Sequence, residues 1–459
     1  MKRLPLVVLS ALLLAVAVAP ALAAEGVPTF TTDVAPILYD NCVVCHREGE
    51  VAPMSLMTYS QVRPWSRAIK EKVVSRVMPP WHADPRFGEF RNARGLTQDQ
   101  INTIVEWVNG GAPKGPDADL PQVPVFPKGW TGGEPDYVVD LPIEFVVPAQ
   151  GEMPELDFYT PLPFTEDRFV EALEMRPTNP AVVHHAGTFM ATLPDDVTVI
   201  DGVAHAADGT PLNQRQISRR ADGGDRFITP GASKLLSYVP GRGYEAYSHG
   251  AAKRLTAGAH INFEMHYNSI GREETDQTKL GLWFAKRPVT HEIINSLGAM
   301  GPSSYIVEGA ELRTTDRGSG RDLPVIPPYA EDWQVISVTA VQNDVTVHGL
   351  TPHLHLRGKS MTYVATYPNG ENEVLLSVPK YDFNWQHYYD LVQPKKLPAG
   401  SKLTVFTSFD NSIKNRYNPA PDKEVYWGEQ SWDEMYSPQV RITVDQWDLT
   451  KMKPATEEE

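Results

Sequence analysis

Two histidines separated by one residue, His353 and His355, lie in the stretch TPHLHLRGKSM. If this stretch is a β-strand, alternate side chains point to the same face, so the two imidazoles could bind one metal ion. Imidazole suits zinc, copper, iron and nickel, and the pair therefore does not select an ion by itself. Two ordinary histidines on a polar strand face are the alternative interpretation.

Three further stretches carry side chains that bind metals: NPAVVHHAGTFM, HINFEMHYNS and WGEQSWDEMYS. Their candidate ligands are His184, His185, His266 and Met435. Each stretch is weak evidence alone, because a histidine on a strand or a lone methionine is more often a core residue. Asp433 and Glu434, directly before Met435, are unusual neighbours for a core methionine. A methionine thioether selects for copper, above all Cu(I), so the set favours copper.

Both cysteines of the chain lie in NCVVCHR, as Cys42 and Cys45, and His46 follows directly. The pattern C-x-x-C-H is the attachment motif of c-type haem. In that arrangement the thiols bond to the haem vinyl groups and the histidine binds the iron. A thioredoxin-like redox pair and a simple disulfide are the alternatives, and a covalently bound haem is the prediction.

The sixth iron ligand is predicted to be Met78, in RVMPPWHADP, where two prolines follow it. Met54, Met57 and His82 are the other candidates, although the two methionines would also suit packing around a haem. Further on, LTQDQINTIVEWVNGGAP predicts a helix with Thr97 as its N-cap.

The chain begins with MKRLPLVVLSALLLAVAVAPALAAEG, a basic start, an apolar run and a small-residue cleavage site. This predicts a secretory signal peptide and a periplasmic or secreted mature protein, with an uncleaved membrane anchor as the alternative. No later segment is apolar enough to span a bilayer, so no stable membrane insertion is expected after cleavage. The net charge of −15 argues against electrostatic binding of nucleic acid.

The remainder of the chain consists of short β-prone runs, among them HINFEMHY, KLGLWFA and KLTVFTSFD, separated by turn residues. The 459 residues include 40 prolines and 33 glycines, which is typical of a loop-rich β protein. Many short strands without long helices predict antiparallel sandwiches, and the length suits two of them.

The order of these elements resembles the copper type II, ascorbate-dependent monooxygenases, which include dopamine β-monooxygenase and peptidylglycine α-hydroxylating monooxygenase. The resemblance covers residues 135–450. By this resemblance, the first copper is bound by His184, His185 and His266, and the second, catalytic copper by His353, His355 and Met435. The two coppers would lie on opposite walls of a solvent-filled cleft, and the enzyme would hydroxylate a C–H bond of a small organic substrate with O2. The animal members carry several disulfides, which this chain cannot form.

The N-terminal motifs resemble class I cytochromes c. The resulting fold prediction is a small α-helical cytochrome c domain followed by two jelly-roll-like antiparallel β-sandwich domains. The predicted boundaries are 1–24 (signal peptide), 25–115 (cytochrome c domain), 116–135 (proline-rich linker), 136–288 (first copper domain), 289–452 (second copper domain) and 453–459 (acidic tail).

The predicted cofactors are two copper ions and one c-type haem. Since haem carries one electron, the haem is expected to supply the coppers and to be reduced by an external electron donor. The alternative function is a non-catalytic, copper-binding electron-transfer protein of the same fold.

Overall fold

The computed structural model of the chain describes residues 26–126, 129–151, 153–213, 216–217, 234–247, 250–297, 299–301, 303–307, 313–315, 325–428 and 430–451. The predicted signal peptide and acidic tail lie outside the described residues. In the described parts, no helix is both long and apolar enough to cross a membrane. The fold is mainly β, with antiparallel sheets after a small helical unit, which confirms the predicted fold class.

The helical unit contains α1 (Ala35–Asn41), α2 (Tyr59–Val62), α3 (Ser66–Val74) and α4 (Gln98–Asn109), with a π-helical turn at Phe30–Val34 and 3-10 turns at Arg63–Trp65 and Asp117–Asp119. The predicted N-cap of α4 is confirmed. The Thr97 hydroxyl accepts from the Gln100 amide, and the Gln100 side chain accepts from the Thr97 amide at 2.9 Å. Ile101, Ile104 and Trp107 form the buried face of α4.

The first β unit contains β1 (Tyr137–Asp140), β2 (Phe145–Val147), β3 (Leu156–Pro161), β4 (Arg168–Arg176), β5 (Val183–Ala191), β6 (Thr198–Ile200), β7 (Val203–His205), β8 (Pro211–Leu212), β9 (Lys234–Tyr238), β10 (Tyr244–Ala246), β11 (Ala251–Leu255), β12 (His260–Tyr267), β13 (Glu274–Asp276) and β14 (Lys279–Phe284). One main sheet has the order β1-β14-β4-β11, with β10 also on β4, and the other has the order β3-β12-β5-β9. Leu173 and Leu282 of one sheet and Ala186 and Phe263 of the other belong to one hydrophobic core. This unit is therefore a sandwich.

The second β unit contains β16 (Ser303–Val307), β17 (Arg313–Thr315), β18 (Trp333–Ala340), β19 (Val345–Leu354), β20 (Gly358–Thr366), β21 (Asn372–Val378), β22 (Tyr389–Leu397), β23 (Lys402–Phe409) and β24 (Tyr436–Val444). Its sheets, β17-β16-β18-β23-β20-β21 and β22-β19-β24, enclose a second core. Between the units, β15 (His291–Glu292) pairs in parallel with β11 of the first unit.

Residues 81–92 of the helical region pack against the second β unit. Phe90 forms a β-bridge with Leu391 and joins the second hydrophobic core. The Arg91 amide donates to the Asp390 carbonyl at 2.8 Å, directly beside that bridge. The helical unit therefore contacts the second β unit through main-chain hydrogen bonds as well as through apolar packing.

Candidate metal centres

His185 and His266 are cross-strand partners on β5 and β12, and the next partners along this ladder are Val183 and Tyr267. His184 is thus an extra residue in β5, a β-bulge. On a regular strand the adjacent His184 and His185 would point to opposite faces of the sheet. With the bulge, one ring nitrogen from each of the three histidines lies within 4.8 Å of the other two. The sequence predicted these three residues as one site, and the structure brings them together.

The three histidines of this cluster are held in the neutral form, and a carboxylate lies beside one of them. The Nδ1 atoms of His184 and His185 are 3.1 Å apart, and Oε1 of Glu155 lies 3.5 Å from Nε2 of His185. Glu155 can therefore accept the Nε2 proton of His185, which leaves its Nδ1 lone pair for an ion. Burial, together with the neighbouring His184, lowers the pKa of His266 to about 4. The cluster is accordingly neutral at neutral pH, the form in which imidazole binds a metal.

His353 and His355 lie at the end of β19, with their ring centroids 5.3 Å apart. Nδ1 of His353 lies 2.6 Å from Oε1 of Gln386. Nδ1 of His355 is buried. Burial lowers the pKa of both rings, that of His353 to about 4. The spacing that suggested a shared ion in the sequence does place both neutral rings side by side.

The carboxylate of Glu434 joins Met435 to this pair. Its Oε1 accepts from the amides of His355 at 2.5 Å and Met435 at 2.9 Å, and its Oε2 accepts from the Arg357 amide at 3.0 Å. Glu434 is fully buried, and burial raises its pKa to about 7 although the three amides oppose this. The acidic residue that looked out of place beside a core methionine thus holds the Met435 backbone next to that of His355.

The two histidine clusters meet at Phe383. Its ring centroid lies 5.7 Å from that of His185 and 5.9 Å from that of His355. An open cavity of about 510 Å³ adjoins this point. Its described lining is apolar or neutral polar and consists of Gly151, Met153, Ala181, His184, His266, Tyr267, Asn268, Ser269, Ile270, Leu356, Phe383, Asn384, Ser431 and Trp432. Residues of both β units line it, so the cavity lies between them.

In the helical unit, Cys42 and Cys45 follow α1 and are not joined by a disulfide. Burial, reinforced by Cys45, raises the pKa of Cys42 to about 12. Nδ1 of His46 lies 3.2 Å from the carbonyl oxygen of Met54, which engages that nitrogen as a donor and leaves Nε2 free for a metal. These donors fit the attachment and proximal ligation of a c-type haem.

The candidates for the sixth iron ligand lie in different surroundings. Met54 and Met57 pack against the core of the helical unit, as the packing interpretation expects. Met78 is half-buried, and its amide donates to the Lys72 carbonyl at the end of α3. His82 lies toward the second β unit, with its ring 6.3 Å from that of His387. Met78 stays the predicted ligand.

The other histidines lie outside both clusters. His205 contacts the Val203 carbonyl, and His291 contacts the Thr290 hydroxyl and the Asp445 carbonyl. His348 contacts the Thr443 hydroxyl, and His260 is half-buried on β12. His249 lies outside the described residues.

Sequence reasoning missed Phe383, Asn384, Gln386 and His387. All four lie between β21 and β22 in the segment FNWQH, and Asn384 hydrogen-bonds to His184. The concentration of amide and aromatic side chains was the only signal in the sequence.

Comparisons with known proteins add little. No family model matches the chain, and no curated protein matches it. Among solved structures, the structure of PNGF-II matches with 10% identity over 67% of this chain and 60% of that chain, at a TM-score of 0.22. A Paenibacillus xanthan lyase matches with 8% identity over 68% of this chain and 26% of that chain, at a TM-score of 0.15. TM-scores this low carry no argument about fold or function.

Proposed function

We propose that the chain is a periplasmic or secreted, haem-linked dicopper monooxygenase that hydroxylates a C–H bond of a small organic substrate with O2. One observation carries the proposal. Two separate groups of neutral histidines, which are partly or fully buried and lie on different β units, approach the same side chain, Phe383, beside an open cavity.

The ligand types support copper. His184, His185 and His266 form an all-nitrogen set. At the pair of His353 and His355, Glu434 holds the Met435 backbone beside that of His355, and the Met435 thioether would favour Cu(I). Bound copper would supply one-electron redox chemistry at each site and O2 activation at the site with the thioether. The chain's own contribution is to keep the imidazoles neutral, to orient them and to limit access of water.

The cavity supports a small substrate. Its volume of about 510 Å³ lies in the range of small-molecule sites, and it reaches His184 and His266 directly. Asn268, Ser269 and Ser431 offer neutral hydrogen-bonding groups at its wall.

The packing of residues 81–92 on the second β unit supports haem as the electron source. The carbonyl of Pro80 lies within hydrogen-bonding distance of His387, four residues after Phe383. A haem held by Cys42, Cys45 and His46 would then receive electrons from an external donor and serve copper sites in the same polypeptide.

The proposal is tested by metal analysis and EPR spectroscopy of the oxidised protein, with O2 uptake measured under reduction. We expect two type II copper signals beside a low-spin haem, and substrate-dependent O2 uptake that Met435→Ile abolishes. Met361→Ile, a buried methionine on β20, is the matched control and should retain uptake. Copper binding without O2 uptake across a broad set of substrates would favour a copper-binding electron-transfer protein. Iron without copper would overturn both functions.

A further inference from the structure

Residues 383–387, which we name the bridging segment, contact both histidine clusters and the helical unit. Phe383 lies against His185 and His355, as described above. Further along the segment, Oε1 of Gln386 lies 2.6 Å from Nδ1 of His353, and Nε2 of His387 lies 2.7 Å from the Pro80 carbonyl oxygen. Two consecutive residues therefore contact different partners: Gln386 contacts a candidate metal ligand, and His387 contacts the helical unit.

Gln386 sets which nitrogen of His353 carries the proton. An amide oxygen only accepts hydrogen bonds, so Nδ1 of His353 must donate and Nε2 keeps its lone pair for a metal. Nε2 of Gln386 is buried without a hydrogen-bond partner among the described residues. The orientation that contacts His353 therefore carries the desolvation free energy of an unpaired donor. Such an arrangement is typical of residues that orient a metal ligand.

His387 fixes the position of Gln386. Its side chain is almost fully buried, its ring stacks on Trp385 at 6.2 Å, and it contacts Trp81 at 5.8 Å. Its partner Pro80 lies two residues after Met78 in the MPPW loop. Because His387 and Gln386 are linked by one peptide bond, a shift of the loop is transmitted to the side chain that holds His353.

We propose that the bridging segment positions His353 from the MPPW loop of the helical unit. Gln386 orients the His353 ring, and His387 anchors Gln386 to Pro80; both are positioning residues. The proposal rests on the proposed function for the identity of the ion at His353 and of the group near Met78. The contacts themselves join one candidate metal site to the loop that carries the candidate iron ligand.

The first arm of the test uses copper-free protein with ¹⁵N-labelled histidine and measures the ring tautomers by NMR. We expect the His353 ring, assigned by its loss in His353→Asn, to be protonated at Nδ1 only. Gln386→Leu and His387→Phe should each give a mixture of both tautomers, whereas Gln386→Glu, which keeps the acceptor, should retain the single tautomer. Gln334→Leu, an exposed glutamine on β18, is the matched control for Gln386.

The second arm measures copper affinity by competition with a chelator. Gln386→Leu should weaken binding at one of the two sites by about 10–100-fold, the usual effect of losing a partner that orients a ligand. His387→Phe should weaken the same site, and His387→Gln, which keeps a donor for Pro80, should restore most of the affinity. His205→Phe removes a comparable ring-to-carbonyl bond outside both clusters and should leave the copper affinities unchanged.

The outcomes separate this proposal from the proposed function. Wild-type tautomers and affinities in Gln386→Leu would overturn the positioning role. An effect of Gln386→Leu without one of His387→Phe would overturn the bridge, because Gln386 would then act independently of the loop. If the protein bound no copper, the proposed function would fail, and the NMR arm would still decide whether the segment positions His353.

Discussion

His185 and His266 face each other as register partners on neighbouring antiparallel strands, β5 and β12. The ladder holds their backbones, and the bulge at His184 adds a third ring on the same side. A site built on strands is held by the sheet's own hydrogen bonds, so the fold itself positions the backbones of the three histidines.

Removal of His266 tests that cluster. We expect His266→Ala to lower the copper content from two ions to one, because two imidazoles retain an ion much less well than three. Chelator competition and metal analysis measure the effect. The control is His260→Ala on the same strand, which should keep both ions. Two bound coppers in His266→Ala would contradict the assignment.

Phe383 separates the two clusters and is mostly buried. We expect Phe383→Ala to admit water between them, so that less of the consumed O2 appears in product and more as hydrogen peroxide. The ratio of product to O2 consumed measures this, with Phe284→Ala, a half-buried phenylalanine of β14, as control. An unchanged ratio would show that Phe383 does not exclude water.

Arg441 joins the two β units through a buried ion pair with Glu245, and it also pairs with the partly buried Asp390 of its own unit. We expect Arg441→Met to destabilise the fold by about 3–5 kcal/mol, since it removes the ion-pair partner of the buried Glu245 carboxylate. The free energy of unfolding in urea measures this loss. The more exposed pair of Lys395 with Glu373 is the control, and Lys395→Met should cost about 0–1 kcal/mol. Equal losses in both variants would contradict the role of Arg441.

The buried Lys253 should make the stability of the fold depend on pH. Burial lowers its pKa to about 7, although Glu245 opposes this. Between pH 7 and the ordinary lysine value of 10.5 the unfolded chain therefore binds more protons than the folded protein, and stability rises with pH in this window. Below pH 7 both states are protonated, and the cost of the buried charge is constant.

We expect the melting temperature of the wild type, relative to that of Lys253→Met, to rise as the pH increases from 7 to 10. The underlying change in the free energy of unfolding is on the order of 1 kcal/mol per pH unit. Thermal unfolding at several pH values measures it. Parallel curves for the two proteins would show that Lys253 is not a low-pKa lysine in the folded state.

The mainly β fold and the helix after Thr97 were predictable from the sequence, because short β-prone runs and a capping residue are local signals. The convergence of His184 with His185 was not derivable from spacing, since a regular strand would separate them. The bulge that brings them together depends on how β5 pairs with β12.

The sequence by itself determined which candidate ligands are present. They are a C-x-x-C-H motif, five histidines in three stretches, two of them an H-x-H pair, and one methionine with an acidic neighbour. These are residue types at short spacing, which need no fold to be seen. Only the tertiary structure decided that both histidine groups meet at Phe383, that Glu434 joins Met435 to His355, and that Gln386 and His387 connect His353 to Pro80. Those contacts join residues far apart in the chain, and they exist because the packing of the sheets and of residues 81–92 brings their backbones together.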